Sequence, residues 1–162
     1  MTRPTAFREH DHAACASDAL ARAEALCRER GARLTPQRRR ILAMIWAAHK
    51  PVGAYELLDQ LRDDGTRAAP PTVYRALDFL RTHGLVHRVE GLNAYIGCDC
   101  PEHPHGSQLL ICTECHKVAE VSDPDIDSAV RDCASTNAFQ PHHQTIEVHG
   151  LCPGCQAADP SA

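Results

Sequence analysis

One continuous stretch, residues 70–98, decides the fold: PPTVYRALDFLRTHGLVHRVEGLNAYIGC. Its first part carries apolar residues at helical spacing, namely Val73, Ala76, Leu77 and Leu80. This spacing predicts a helix that begins at Pro71, where proline is favoured, and stops at Gly84. Two short extended runs follow, over 85–89 and 94–98, and the glycine-containing segment 90–93 separates them. This pattern predicts a β-hairpin.

Three further helices are predicted ahead of this stretch, over 17–29, 36–48 and 54–63. Thr35 followed by Pro36 is typical of a helix N-cap and a first helical position. Helices closed by a β-hairpin make a winged helix-turn-helix. Short strands are predicted over 109–112, 117–121 and 144–148, with one helix over 123–134. The fold class is therefore α+β, with a winged helix-turn-helix followed by a small α/β domain.

Two Cys-x-x-Cys pairs occupy the last third of the chain, Cys112/Cys115 and Cys152/Cys155. Two such pairs complete the tetrahedral sulfur shell that zinc prefers, and four filled positions indicate a structural site. Disulfides and a redox role for one pair are the alternatives. Nine cysteines behind an N-terminal segment without an apolar signal-like stretch favour metal ligands or thiols. Enough ligands for a second metal site remain: His87, Cys98, His103, His105 and Glu120.

Charge is divided unevenly along the chain. Residues 1–97 hold 15 Lys/Arg and 11 Asp/Glu, whereas residues 98–162 hold 2 and 10. An arginine-rich first half joined to an acidic, cysteine-rich second half indicates contact with a polyanion, then metal binding and self-association. A solvated charge gradient is the alternative. No run approaches the length of a membrane-spanning helix.

The fourth predicted helix indicates that the polyanion is DNA. Opposite its apolar face lie Thr72, Arg75 and Asp78, with Tyr74 beside them. Arg75 is near the helix N-terminus, where recognition helices meet base edges, and its guanidinium can grip a guanine. Phosphate contacts are predicted for Arg33, Arg38, Arg39, Arg40 and Arg88. Exposed arginines are also common in small helical proteins without this function.

The resemblance to a known family lies in three motifs, Arg33-Leu-Thr-Pro-Gln-Arg38, Ala54-Tyr-Glu-Leu-Leu58 and Pro70-Pro-Thr-Val-Tyr-Arg-Ala-Leu-Asp-Phe-Leu80. These motifs resemble the ferric uptake regulator family. Three others look like its zinc uptake regulator branch, namely Gly84-Leu-Val-His87, Asn93-Ala-Tyr-Ile-Gly-Cys98 and Ile146-Glu-Val-His-Gly-Leu-Cys-Pro-Gly-Cys155. The resemblance runs in register from about residue 19 to residue 155, nearly the whole chain.

The resemblance implies a domain organisation. A winged-helix DNA-binding domain would span 17–97 and a zinc-containing α/β dimerisation domain 106–155, with a hinge over 98–105. A flexible extension over 1–16 and a flexible tail over 156–162 would flank them. The N-terminal His10, His12 and Cys15 have no counterpart in the family pattern.

The resemblance also implies particular sites. Structural zinc would fall on the four cysteines of the two pairs, and regulatory zinc on His87, Cys98, His105 and Glu120. A thiolate with two imidazoles and a carboxylate favours zinc over harder metals. His103 and His105 could exchange roles, and His142 or His143 could belong to a third site. Tyr55 and Arg75 would read DNA, with Tyr74 close by.

Together these features predict a cytoplasmic zinc-responsive repressor, with two zinc ions per chain and no small-molecule substrate other than zinc. As a zinc-loaded homodimer it would bind palindromic operator DNA and repress zinc-uptake genes. Another metal or peroxide sensor of the same family, or a zinc storage or transfer protein, is the alternative. No catalytic residues are expected, because an enzyme needs an open metal position and a nearby general base.

Overall fold

The chain forms two compact units in a computed structural model, His10–Glu102 and a second that holds His103–Ala162. The structure describes Phe7 and residues 12–48, 50–102 and 106–158, with side chains in the first helix from residue 15 onward. Residues 98–102, which the sequence assigned to a hinge, belong to the first unit. In the described part of the chain, no helix combines the length and the apolar character that crossing a membrane requires.

The first unit is a winged helix-turn-helix, as the sequence predicted. Its elements in chain order are α1 (His12–Glu29), α2 (Pro36–Ala47), α3 (Ala54–Asp63), α4 (Pro70–Thr82), β1 (Val86–Val89) and β2 (Ala94–Gly97). The two strands pair antiparallel, with Val86 opposite Gly97 and Val89 opposite Ala94. A short 3₁₀ turn joins them over Glu90–Leu92, and Asn93 closes it in the left-handed conformation at φ 48°.

Apolar faces of the helices and the hairpin form one core in this unit. Its fully buried members include Ile41, Leu57, Leu77, Leu80 and Val86. Burying each such side chain stabilises the fold by roughly 1.5–3 kcal/mol. At the start of α2, the Thr35 side chain accepts the backbone N–H of Arg38, and Pro36 takes the first position. The predicted cap is therefore confirmed, and it fixes the residue at which α2 begins.

The first helix begins at His12, whereas the sequence predicted a flexible extension up to residue 16 and a helix from residue 17. Alanines at 13, 14 and 16 explain the difference. Alanine has the highest helix propensity, so the helix continues backwards past Ser17 instead of starting there. His10 and the residues before it, apart from Phe7, lie outside the described residues.

The second unit is a small sheet with helices. Its elements are β3 (Ser107–Cys112), β4 (Val118–Val121), α5 (Pro124–Thr136), β5 (Thr145–Gly150) and α6 (Pro153–Ala158). Among the described residues the strand order is β4-β3-β5. Strand β3 runs antiparallel to β4 and parallel to β5, so that Cys112 lies opposite Gly150.

One detail of this unit differs from the sequence-based expectation. Residues 156–158 belong to α6 and not to a flexible tail, because the helix begins at Pro153 between the two cysteines of the second pair. His142 and His143 precede β5 as exposed loop residues. The Nε2 atom of His143 forms a hydrogen bond with the Thr145 hydroxyl at 2.9 Å.

Candidate metal centre and nucleic-acid interface

Four cysteine sulfurs meet at one end of the second unit. Cys112 ends β3 and Cys115 lies in the turn towards β4, whereas Cys152 and Cys155 lie at the start of α6. Parallel pairing of β3 with β5 places the second pair beside the first, two residues beyond Gly150. All four Sγ atoms lie within 4.8 Å of one another.

The spacing of these sulfurs fits zinc. The Sγ atoms of Cys115 and Cys152 are 3.7 Å apart. A tetrahedral zinc with bonds of about 2.3 Å holds its sulfurs about 3.8 Å apart, whereas a disulfide joins two sulfurs at about 2.05 Å. All nine cysteines lie in the described part of the chain, and none is in a disulfide. The disulfide alternative is therefore not what this fold adopts.

The pKa values of the cysteines in this cluster also favour binding of a cation. Burial raises the pKa of Cys112, but backbone N–H groups of Cys115, Cys152 and Glu114 outweigh it and lower that pKa to about 6. Cys152 donates its N–H to the Cys112 sulfur at 3.4 Å. Hydrogen bonds with the neighbouring sulfurs raise the pKa of Cys155 to about 12. The lowered pKa favours the thiolate form of Cys112 at neutral pH. A divalent cation that binds the cluster would displace the protons from the other thiols.

His87 and Cys98 are two further side chains that can bind a metal, and both belong to the hairpin segment of the first unit. The Cys98 N–H donates to the Leu85 carbonyl at 3.1 Å, which continues the register of β1 and β2 by one step. His87 and Cys98 therefore point from the same face of the hairpin as diagonal neighbours. Their ligand atoms lie within 4.8 Å of each other.

The other predicted regulatory ligands, Glu120 and His105, follow Cys98 in the sequence. Glu120 is half-buried on β4 of the second unit, opposite Leu109. His105 and its alternative His103 lie outside the described residues.

The exposed face of α4 carries the predicted DNA-reading residues. Tyr74 is 46% exposed, Arg75 is exposed and Thr72 is half-buried, on the side opposite the buried Val73. Tyr55, the second residue of α3, is 68% exposed. Tyrosines this exposed lie outside the core and are accessible to a ligand.

Of the five arginines predicted to contact phosphates, Arg33 and Arg38 form no ion pair among those described below, whereas the other three do. Arg33 has an exposed side chain. Arg38 lies with its guanidinium carbon 3.7 Å from the Phe79 ring centroid and donates to the Arg33 carbonyl at 2.7 Å. This contact orients Arg38 against α4, which periodicity alone does not reveal.

The remaining arginines form ion pairs within the first unit, Arg39 with Glu24, Arg40 with Asp64 and Arg88 with Glu90. Exposed pairs of this kind contribute about 0–1 kcal/mol, so a DNA phosphate can replace the carboxylate.

Two features of the site have no signal in the sequence pattern. Arg22 of α1 and Arg30 directly after it donate to backbone carbonyls of residues 99 and 101. Trp46 of α2 packs on Gly97. Both contacts join residues far apart in the chain, where spacing rules carry no information.

Comparison with known proteins agrees with this geometry. Residues 29–149 match the model of the ferric uptake regulator family. The chain is 42% identical over 137 residues to the zinc uptake regulation protein of Escherichia coli (strain K12), covering 84% of this chain and 80% of that protein. It superposes on a zinc uptake regulator complexed with zinc and DNA at a TM-score of 0.83 and 40% identity, covering 88% of this chain and 96% of the other. For holo XcZur the TM-score is 0.81 at 48% identity, over 88% and 99%. The chain belongs to the ferric uptake regulator family.

Proposed function

We propose that this chain is a zinc-responsive transcriptional repressor that binds palindromic operator DNA as a zinc-loaded homodimer and represses zinc-uptake genes. The observation that carries the proposal is the likeness of the whole fold to a zinc uptake regulator complexed with zinc and DNA, at a TM-score of 0.83 and 40% identity. The relative in Escherichia coli is a zinc uptake regulation protein. The converging cysteine, histidine and thiol ligand atoms and the exposed Arg75 on α4 support the proposal.

Two zinc ions per chain are part of the proposal. The four cysteines of the two pairs would hold the structural zinc, which cross-links β3 to α6. His87 and Cys98 would supply two ligands of the regulatory zinc, and His105 and Glu120 would complete the set. Support comes from the convergence of an imidazole and a thiol on one face of the hairpin, since this donor pair suits zinc.

A second copy of the chain is the proposed partner of the second unit. No residue of α5, all of which is described, is buried. Ile126, Phe139 and Val148 are 42%, 66% and 50% exposed. Strand β5 also lies at one edge of the described sheet, and edge strands pair readily. A two-fold dimer would cover these apolar side chains and relate two recognition helices, so half-sites should be palindromic.

DNA reading would centre on α4. Arg75 can donate two hydrogen bonds to one guanine, which discriminates by about 1–3 kcal/mol against other bases. Tyr55, Thr72 and Tyr74 would contact the same groove, and Arg33 and Arg38 would bind phosphates. Each of these side chains is exposed or half-buried, so contact needs no change in the fold.

The experiment is capture of fragmented genomic DNA by the purified chain at fixed salt, with and without buffered free zinc. We expect recovery of a small set of palindromic fragments only with zinc. His87→Ala and Cys98→Ser should lose the zinc response but keep the structural zinc, while Cys15→Ser, a half-buried cysteine on α1, should behave as the unmodified chain. Equal recovery with and without zinc would contradict zinc control, and no enrichment would favour zinc storage or transfer.

A further inference from the structure

Two arginines hold the segment that follows Cys98. Arg22 of α1 donates from Nη1 to the Asp99 carbonyl at 3.0 Å and pairs with the Glu102 carboxylate at 3.6 Å. Arg30, directly after α1, donates from Nη2 to the carbonyl of the buried Pro101 at 2.9 Å. Residues 98–102 form neither helix nor strand, so side-chain contacts such as these determine where they lie.

Arg30 makes a further contact with the recognition helix. Its other terminal nitrogen, Nη1, donates to the carbonyl of His83, the C-cap residue of α4, at 2.8 Å. Carbonyls at a helix C-terminus have no partner within the helix, so a cationic donor there is favourable. One planar guanidinium thus bridges the end of α4 and the segment after Cys98.

A guanidinium suits this bridge because its donors are fixed in one plane. Moving the Pro101 carbonyl relative to His83 breaks one of the two hydrogen bonds, whereas a flexible ammonium could follow it. The two hydrogen bonds therefore depend on the relative position of two backbone carbonyls that are 18 residues apart in the chain.

We infer that Arg30 is a positioning residue that couples occupancy of the site at Cys98 to the recognition helix, and so sets how strongly zinc increases DNA affinity. The inference rests on the proposed function. A ligand shifts a protein only through contacts that differ between two states, and Arg30 supplies contacts that depend on the position of residues 99–102. Coupling is reciprocal, so DNA must raise the zinc affinity by the factor by which zinc raises the DNA affinity.

The test compares Arg30→Gln with Arg28→Gln in the full metal-loaded chain. Arg28 lies in the last turn of α1, is exposed, and its replacement removes the same charge. We expect Arg30→Gln to lower the zinc-dependent gain in DNA affinity by about 3-fold or more, with structural zinc retained. In Arg30→Gln the backbone amides of residues 99, 100 and 102 should exchange hydrogen faster. Arg28→Gln should reduce affinity equally with and without zinc, leaving the gain unchanged. Affinity is measured on a duplex recovered by the unmodified chain.

The outcomes separate the inference from the proposed function. If the unmodified chain binds DNA without regard to zinc, the proposed function fails. If the unmodified chain responds to zinc and the two variants respond equally, only the inference about Arg30 is overturned. Arg22→Gln is the second variant, should Arg30→Gln unfold. This substitution releases the Asp99 carbonyl without altering a contact to α4. If it changed neither the zinc-dependent gain in DNA affinity nor hydrogen exchange in the segment after Cys98, the inference would also be contradicted.

Discussion

Trp46 lies directly against Gly97, with its indole in the space that a β-carbon on residue 97 would occupy. Gly97 ends β2 and immediately precedes Cys98, while Trp46 belongs to α2 and packs against the core of the first unit. This contact therefore joins the backbone beside a proposed zinc ligand to the core of the DNA-binding unit.

Gly97→Ala should force Trp46 or β2 to move. Overpacking of this kind costs about 1–3 kcal/mol, and the displaced strand carries Cys98 with it. We expect a free energy of unfolding lower by that amount and weaker zinc binding at the regulatory site, while the structural zinc stays. Urea unfolding and competition with a zinc chelator measure the two effects. Gly150→Ala is the control, because a β-carbon there meets nothing within 4 Å. Equal effects of the two substitutions would contradict the prediction.

Cys155→Ser should remove the structural zinc. Serine is a poor zinc ligand, and three thiolates leave the tetrahedral shell open. Since structural zinc contributes about 10–16 kcal/mol in small domains, we expect one zinc fewer per chain and loss of the fold of the second unit. Metal analysis and far-ultraviolet circular dichroism report these changes. Cys133→Ser, on the exposed face of α5, should retain full zinc content. Retention of full zinc by Cys155→Ser would show that this sulfur is not a ligand.

Arg75→Ala and Arg33→Ala should weaken DNA binding in different ways. Loss of a bidentate contact with guanine costs about 1–3 kcal/mol on the preferred duplex and relaxes the preference at that base. Loss of a phosphate contact weakens binding to all sequences similarly and lowers the slope of log affinity against log salt by about 1. Titrations of matched and substituted duplexes at several salt concentrations distinguish the two. If Arg75→Ala kept the full base preference, Arg75 would not be a base-reading residue.

His83 should make the first unit less stable in acid. Burial, together with the neighbouring Arg30 and Arg38 guanidiniums, lowers the pKa of His83 below its ordinary value. The unfolded chain then binds the proton at higher pH than the folded chain does. The contribution of His83 to the free energy of unfolding is therefore fully present above about pH 6.5 and is lost as the pH falls below that value. An NMR titration of the imidazole checks the shift, and Arg30→Gln should raise this pKa towards the ordinary value. Titration of His83 at or above its ordinary pKa would contradict the prediction.

Much of the fold follows from local patterns. The apolar faces of α2, α3 and α4, the Thr35 cap and the hairpin were all predicted, because each depends on residues within a few positions of one another. The start of α1 was predicted too late, because the alanines before Ser17 favour continuation of the helix towards the N-terminus. The carboxylate partners of Arg39, Arg40 and Arg88 within the chain were not predicted, since ion pairs between elements produce no periodic pattern in the sequence.

The sequence by itself determined the order of the helices and strands and the chemistry of the zinc ligands. Periodicity and the Cys-x-x-Cys spacing act over a single turn, so they can be read without knowing the rest of the fold. Only the tertiary structure decided that Trp46 packs against Gly97, and that Arg30 bridges His83 and Pro101. Contacts of this kind depend on how complete strands pair and helices pack, and no short stretch of sequence encodes that arrangement.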